Sequence, residues 1–129
     1  MFDKYLIVED SLRATADGFT FDARLGYYRG LGLSMIEDIA VTIDQQPVPR
    51  EAIRFDETGG GGAVPLTLAE METAYDRRWK FGGIATISVV QSEPLAPGSH
   101  SLTLSERLRV SYLPFPAINA DAKTMTLAA

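Results

Sequence analysis

Gly18-Phe19-Thr20-Phe21-Asp22-Ala23-Arg24-Leu25 puts Phe19, Phe21, Ala23 and Leu25 on one parity and Thr20, Asp22 and Arg24 between them. Side chains of an extended chain point alternately to its two faces, so this period of two predicts a strand with one face buried and the other wet. Ile39, Val41 and Ile43 repeat the pattern, with Ala40, Thr42 and Asp44 opposite, until Gln45-Gln46-Pro47 ends the run. Ile84 to Val90 follows the Gly82-Gly83 break and is rich in β-branched residues, which favour a pleated surface. Leu95-Ala96-Pro97-Gly98 reads as a turn into a further strand. That strand is the longest: Leu102, Leu104, Leu108, Val110 and Tyr112 share a parity that only Glu106 breaks. A bend or bulge near Ser105-Glu106 is expected to turn the carboxylate out or to pass the strand between sheets. With shorter strands at Tyr5 to Val8 and Ile53 to Phe55, the reading is all-β: an antiparallel β-sandwich of about seven or eight strands.

One segment keeps another rhythm. Thr67-Leu68-Ala69-Glu70 is a capping-box pattern, and Leu68, Met71 and Tyr75 follow at i, i+3 and i+7, which predicts one short helix laid on the sandwich. Gly59 to Gly62 has no side chain to pack and high backbone entropy, so it is expected to be a flexible loop. Residues 119–129 show no clear period and are expected to order only on a partner. The whole of 1–129 is read as one sandwich domain.

Composition narrows the function classes. Apolar residues make up 46% and charged residues 22%, as in soluble globular domains. Twelve Lys+Arg against 17 Asp+Glu leave a net charge of -5, opposite to the basic stripe of a nucleic-acid binder. There is no cysteine, hence no disulfide and no thiolate ligand or nucleophile, which suits a reducing cytoplasm. Met1 to Asp10 brackets a short apolar run with carboxylates, unlike a secretion signal, and Ile84 to Val90 falls far short of the roughly 20 residues of a membrane span. Neither a nucleic acid nor a membrane is expected as a partner.

Motifs for catalysis are sparse. The Gly59 to Gly62 run leads to Ala63-Val64-Pro65, where a phosphate loop would need Lys and Ser/Thr. His100 is the single imidazole and follows a turn; no ligand spacing supports a metal, and no Gly-x-Ser-x-Gly elbow holds a nucleophile. It is read as a solvated or packed strand residue. Glu9-Asp10 and Glu37-Asp38 are adjacent carboxylates flanking strands, where turn and cap roles fit better than acid–base work. Two clusters stand out. Tyr27-Tyr28-Arg29-Gly30 and Asp76-Arg77-Arg78-Trp79-Lys80-Phe81 mix aromatic and cationic groups, the types enriched where one surface meets another. The competing reading makes Tyr27 and Trp79 core or rim residues with arginines around them.

These clusters, with Phe2 to Arg13, Ile36-Glu37-Asp38-Ile39, Glu70-Met71-Glu72, Arg78-Trp79-Lys80-Phe81-Gly82, Leu95 to His100 and Val110 to Phe115, resemble the small β subunit of bacterial C-glycoside deglycosidases. The resemblance covers most of the chain. It implies a β-sandwich subunit of a heteromeric carbon–carbon lyase that splits a 3-keto sugar from an aromatic aglycone. Its large α subunit would be a TIM barrel resembling sugar isomerases, carrying a divalent metal, manganese in expectation, and the acid–base residues. No catalytic residue, metal ligand or cofactor is carried over to this chain. The Gly59 to Gly62 tip departs from the expected pattern. Partner or pocket contacts are assigned to Tyr27, Tyr28, Arg29, Arg78 and Trp79. Two other classes compete: a free-standing carbohydrate-binding sandwich that stacks sugars on Trp79 and Tyr28, and a stand-alone hydrolase with Glu37 or Glu106 as base.

Overall fold

The computed structural model describes residues 6–16, 18–25, 31–59, 65–74, 76–79, 83–91, 95–109 and 117–127. In chain order these form β1 (Arg13–Thr15), β2 (Gly18–Arg24), β3 (Leu31–Gly32), β4 (Ile36–Ile43), β5 (Gln46–Pro47), β6 (Ile53–Asp56) and β7 (Leu66–Thr67). Helix α1 (Leu68–Met71), β8 (Arg78–Trp79), β9 (Ile84–Val90), β10 (Gly98–Leu108) and β11 (Ala117–Leu127) follow, and 3₁₀ turns at Leu33–Met35 and Arg50–Ala52 lead into β4 and β6. One sheet has five strands in the order β1-β2-β9-β6-β7, a second has four in the order β11-β10-β4-β5, and β3 and β8 make a separate ribbon. All named pairings are antiparallel.

The expected parities build the core. Phe19, Phe21 and Ala23 of β2, Ala85, Ile87 and Val89 of β9, and Ile53 and Phe55 of β6 are buried, as are Ile39, Val41 and Ile43 of β4 and Leu102, Leu104 and Leu108 of β10. They belong to one hydrophobic cluster shared by both large sheets, as an all-β sandwich requires. Gly18 lets β2 start against β9, because a Cβ there would lie 1.9 Å from the Val89 carbonyl oxygen. The capping box forms as expected: Thr67 Oγ1 accepts from the Glu70 amide at 3.1 Å, and Glu70 Oε1 accepts from the Thr67 amide at 2.9 Å. The helix is a single turn burying Leu68 and Met71, while Tyr75 lies outside the described residues. Among the described residues no helix is long and apolar enough to cross a membrane.

Several expectations change. Leu6 to Val8 meets β2 through a bridge between Ile7 and Ala23 instead of a full strand. Glu106 is not turned out: it keeps the inward parity of β10 and is wholly buried. The irregularity lies one step later and on the neighbour, where Arg107 pairs with Asp38 and Leu108 with Ile36, so Glu37 is the extra residue. The C-terminal segment, read as aperiodic, is β11, paired with β10 over its full length from Gly98↔Leu127 to Leu108↔Ala117. Its pairing needs no apolar stripe, because β10 supplies a complete ladder. Of the glycine loop, Gly60 to Gly62 lie outside the described residues; Gly59 turns at φ 64°, and a Cβ there would lie 2.5 Å from the Ile84 carbonyl oxygen.

Candidate functional site

The ribbon joins the second aromatic-cationic cluster to Leu31 and Gly32. Leu31 pairs with Trp79 and Gly32 with Arg78, and the Leu33 amide donates to the Arg77 carbonyl at 2.9 Å. Tyr27, Tyr28 and Arg29, which precede β3 in the chain, lie outside the described residues. Neighbouring residues of a strand face opposite ways, and β8 uses that rule sharply: Arg78 is exposed and Trp79 is 0% exposed.

Trp79 is thus a core residue and no surface platform. Its ring meets Phe55 edge-on, with centroids 5.0 Å apart and planes at 67°, and its Nε1 donates to the Gly83 carbonyl at 2.9 Å. Before it, Arg77 grips Glu57 through two parallel bonds, Nε to Oε2 at 2.7 Å and an NH2 to Oε1 at 2.5 Å. The hydrogen bonds to the Glu57 carboxylate raise the Arg77 guanidinium further above its ordinary value. Asp56 steadies the turn that carries Glu57 by accepting from the Thr58 amide at 2.9 Å. The anchors Trp79 and Arg77 fix the backbone on either side of Arg78, and that side chain is held toward solvent.

A recess of about 370 Å³ lies beside the ribbon, lined by Ser34, Ile36, Glu37, Glu72 and Arg109. The Arg109 amide donates to the Met35 carbonyl at 2.7 Å, so the end of β10 is tied to the turn that leaves β3. This recess is polar and able to receive a side chain of another surface.

The remaining candidates have structural roles. Glu37 pairs with Arg107 at 3.0 Å and Asp38 with Arg50 at 2.9 Å, both toward the outside. Glu9 and Asp10 form a turn in which Asp10 takes φ 59°. Glu106 sits on the inner face of β10, in register with Ile39 and Asn119, away from solvent. His100 packs at 8% exposure, its Nδ1 2.6 Å from Asp44 Oδ2 and its Nε2 2.5 Å from the Ala96 carbonyl. Among the described residues no three His, Asp or Glu side chains come together to hold a metal ion.

Sequence reasoning missed the Arg77–Glu57 grip, the Asp44–His100 pair and Asp121. Asp121 Oδ2 accepts from the Ile7 amide at 3.0 Å and from Lys123 Nζ at 2.7 Å. These partners are 20, 56 and 114 residues apart, so no local spacing carries them. The one local hint was Asp44-Gln45 at the end of a strand, which forms a tight turn with both residues at positive φ.

Comparison with known proteins gives a consistent answer. A family model described as C-glycoside deglycosidase beta subunit matches residues 2–112. A 3'-dehydrocarminate deglycosidase beta subunit from Microbacterium sp is 34% identical over 114 residues, 88% of this chain and 83% of that protein. A C-glycoside deglycosidase beta subunit from Microbacterium trichothecenolyticum is 28% identical over 128 residues, 97% and 88% of the two chains. Another, from Eubacterium cellulosolvens, is 30% identical over 75% of this chain and 63% of its own length.

Proposed function

The chain belongs to the C-glycoside deglycosidase beta-subunit family, and from that premise we propose that it is the accessory subunit of a lyase that breaks the carbon–carbon bond between a 3-keto sugar and an aromatic aglycone. The family match across residues 2–112 carries this reading. A beta subunit has a partner subunit; in this proposal the partner is a TIM-barrel α subunit, and the pair works in the cytoplasm. The keto group suggested by the name of the Microbacterium relative explains how such a bond can break at all. A ketone acidifies the proton on the neighbouring carbon; removing it gives an enediolate, and electrons returning from it expel the aglycone from the next carbon as an acid delivers a proton to the departing aromatic carbon.

A divalent metal on the α subunit, manganese in this proposal, would stabilise the enediolate oxygens as a Lewis acid. The tasks left to this chain are assembly and shaping of the pocket rim. The ribbon suits them. Arg78 faces outward from a backbone clamped by Trp79 and by the Arg77–Glu57 pair, so it meets a partner with little ordering cost. Tyr27, Tyr28 and Arg29 belong to the same proposed contact by their place in the chain just before β3. Trp79 acts on it from beneath as a positioning residue.

The test is co-expression with a candidate α subunit, size-exclusion chromatography, and an assay on a 3-keto C-glucoside with each chain alone as control. Co-elution, with activity only in the mixture, is expected. Separate elution with no gain in activity overturns the proposal. Arg78→Glu is expected to weaken assembly by about tenfold or more, read by size-exclusion chromatography of the mixture. Unchanged assembly removes Arg78 from the contact.

A further inference from the structure

Asp44 and Gln45 turn the chain from β4 into β5 with φ of 50° and 68°, a left-handed backbone that suits glycine better than either residue. Such a turn must be held from outside, and His100 does the holding. The Asp44 carboxylate takes the Ser101 amide on Oδ1 at 2.9 Å and faces His100 Nδ1 with Oδ2 at 2.6 Å. On its other side the ring faces the Ala96 carbonyl with Nε2 at 2.5 Å. One imidazole therefore ties three segments: the β4–β5 turn, β10 and the loop that precedes β10.

Both atoms facing the ring are acceptors. A neutral imidazole has one N–H and one lone pair, so it can satisfy only one of them and sets lone pair against lone pair at the other. Only the imidazolium donates at both nitrogens. We infer that His100 is the doubly protonated clasp of a pH-sensitive latch, and that losing one proton as the pH rises frees the Ala96 side, because the remaining N–H stays with the charged Asp44. Leu95, packed on the edge of the core, is released with it.

The electrostatics agree with the geometry. The Ala96 carbonyl and then Asp44 raise His100 above its ordinary value of 6.5, against the opposing pull of burial. His100 in turn lowers Asp44 from 3.8, helped by the Ser101 amide. Among the described residues Asp44 is the charged group facing the ring; β11 places Met125 opposite it and β4 contributes Ile43 beside Leu102. A raised histidine stabilises the fold fully below pH 6.5, and that contribution fades as the pH climbs through the raised folded value. A lowered carboxylate contributes above 3.8 and fades as the pH falls through its own folded value, so the latch is strongest between the two.

With a single imidazole in the chain, NMR reads the ring without ambiguity. In a pH titration of the full chain, the ring is expected to titrate above 6.5, with the Ala96 carbonyl and Leu95 methyl resonances moving at the same midpoint. Asp44→Asn presents an amide N–H to Nδ1 and satisfies a neutral ring, while asparagine tolerates the left-handed turn. Its midpoint is expected to fall to 6.5 or below, with Ala96 no longer moving above that pH. A wild-type midpoint at or below 6.5, or an Ala96 resonance that stays still while the ring titrates, overturns the inference whether or not the variant folds.

Discussion

The five-stranded sheet turns Phe19, Phe21, Phe55 and Ile87 inward and carries Arg13 and Asp22 on its outside, paired at 3.0 Å, with the Thr86 hydroxyl on the same carboxylate. The four-stranded sheet also has ion pairs outside, Glu37–Arg107 and Asp38–Arg50, but differs in what it encloses. Across its outer face run rows of small uncharged residues, Thr42–Thr103–Ala122 and Ala40–Ser105–Ala120, while His100 and Glu106 are buried on the inner parity of β10 and the Asp121 side chain is only 6% exposed. The five-stranded sheet buries mainly aromatic and aliphatic side chains, with Asp56 at the end of β6, whereas the four-stranded sheet encloses His100, Glu106 and Asp121 among its inward groups. Enclosed polar groups are costly to strand and specific in their partners, so the four-stranded sheet is where single substitutions reveal particular contacts.

The contrast can be tested by deletion on either side. Trp79→Ala removes the largest fully buried side chain, which packs edge-on against Phe55 of the five-stranded sheet, and should cost about 3–5 kcal/mol in urea-induced unfolding through lost burial and the cavity left behind. A cost below about 1 kcal/mol would mean that the ribbon is not part of the apolar core. Asp121→Ala takes the acceptor from the Ile7 amide and the carboxylate from Lys123, with an expected loss of about 1–3 kcal/mol. Asp121→Leu sharpens the point: if this sheet worked by simple apolar burial, the leucine would be neutral or stabilising, whereas loss of the pairing predicts destabilisation. The smallest effect belongs to Arg13→Ala, where half of the side chain is in water; a change under about 1 kcal/mol that shrinks further in high salt is expected from thermal melts.

Legibility in the sequence follows the same division. β2 and β9 appear where alternation and β-branching put them, and the capping box of α1 is residue-for-residue as read, because each is decided by near neighbours. β11 escaped because Asp121 and Lys123 occupy the parity that Met125 and Leu127 continue, so its inward stripe looks polar until the pairing with β10 and the bond to Ile7 are known. Glu106 misled for the same reason. In the candidate site, the exposure of Arg78 and the burial of Trp79 follow from alternation once β8 is a strand, but the meeting of β8 with β3 is a long-range event that neither cluster announces.

The bond between the Ile7 amide and Asp121 also orders events in time. Its ends are separated by 114 residues, which a ribosome needs on the order of ten seconds to make. Until Asp121 leaves the exit tunnel, the first bridge to β2 lacks its cross-sheet support and β10 lacks its outer neighbour. Closure of the sandwich therefore waits for β11 and comes late by the standard of local pairing.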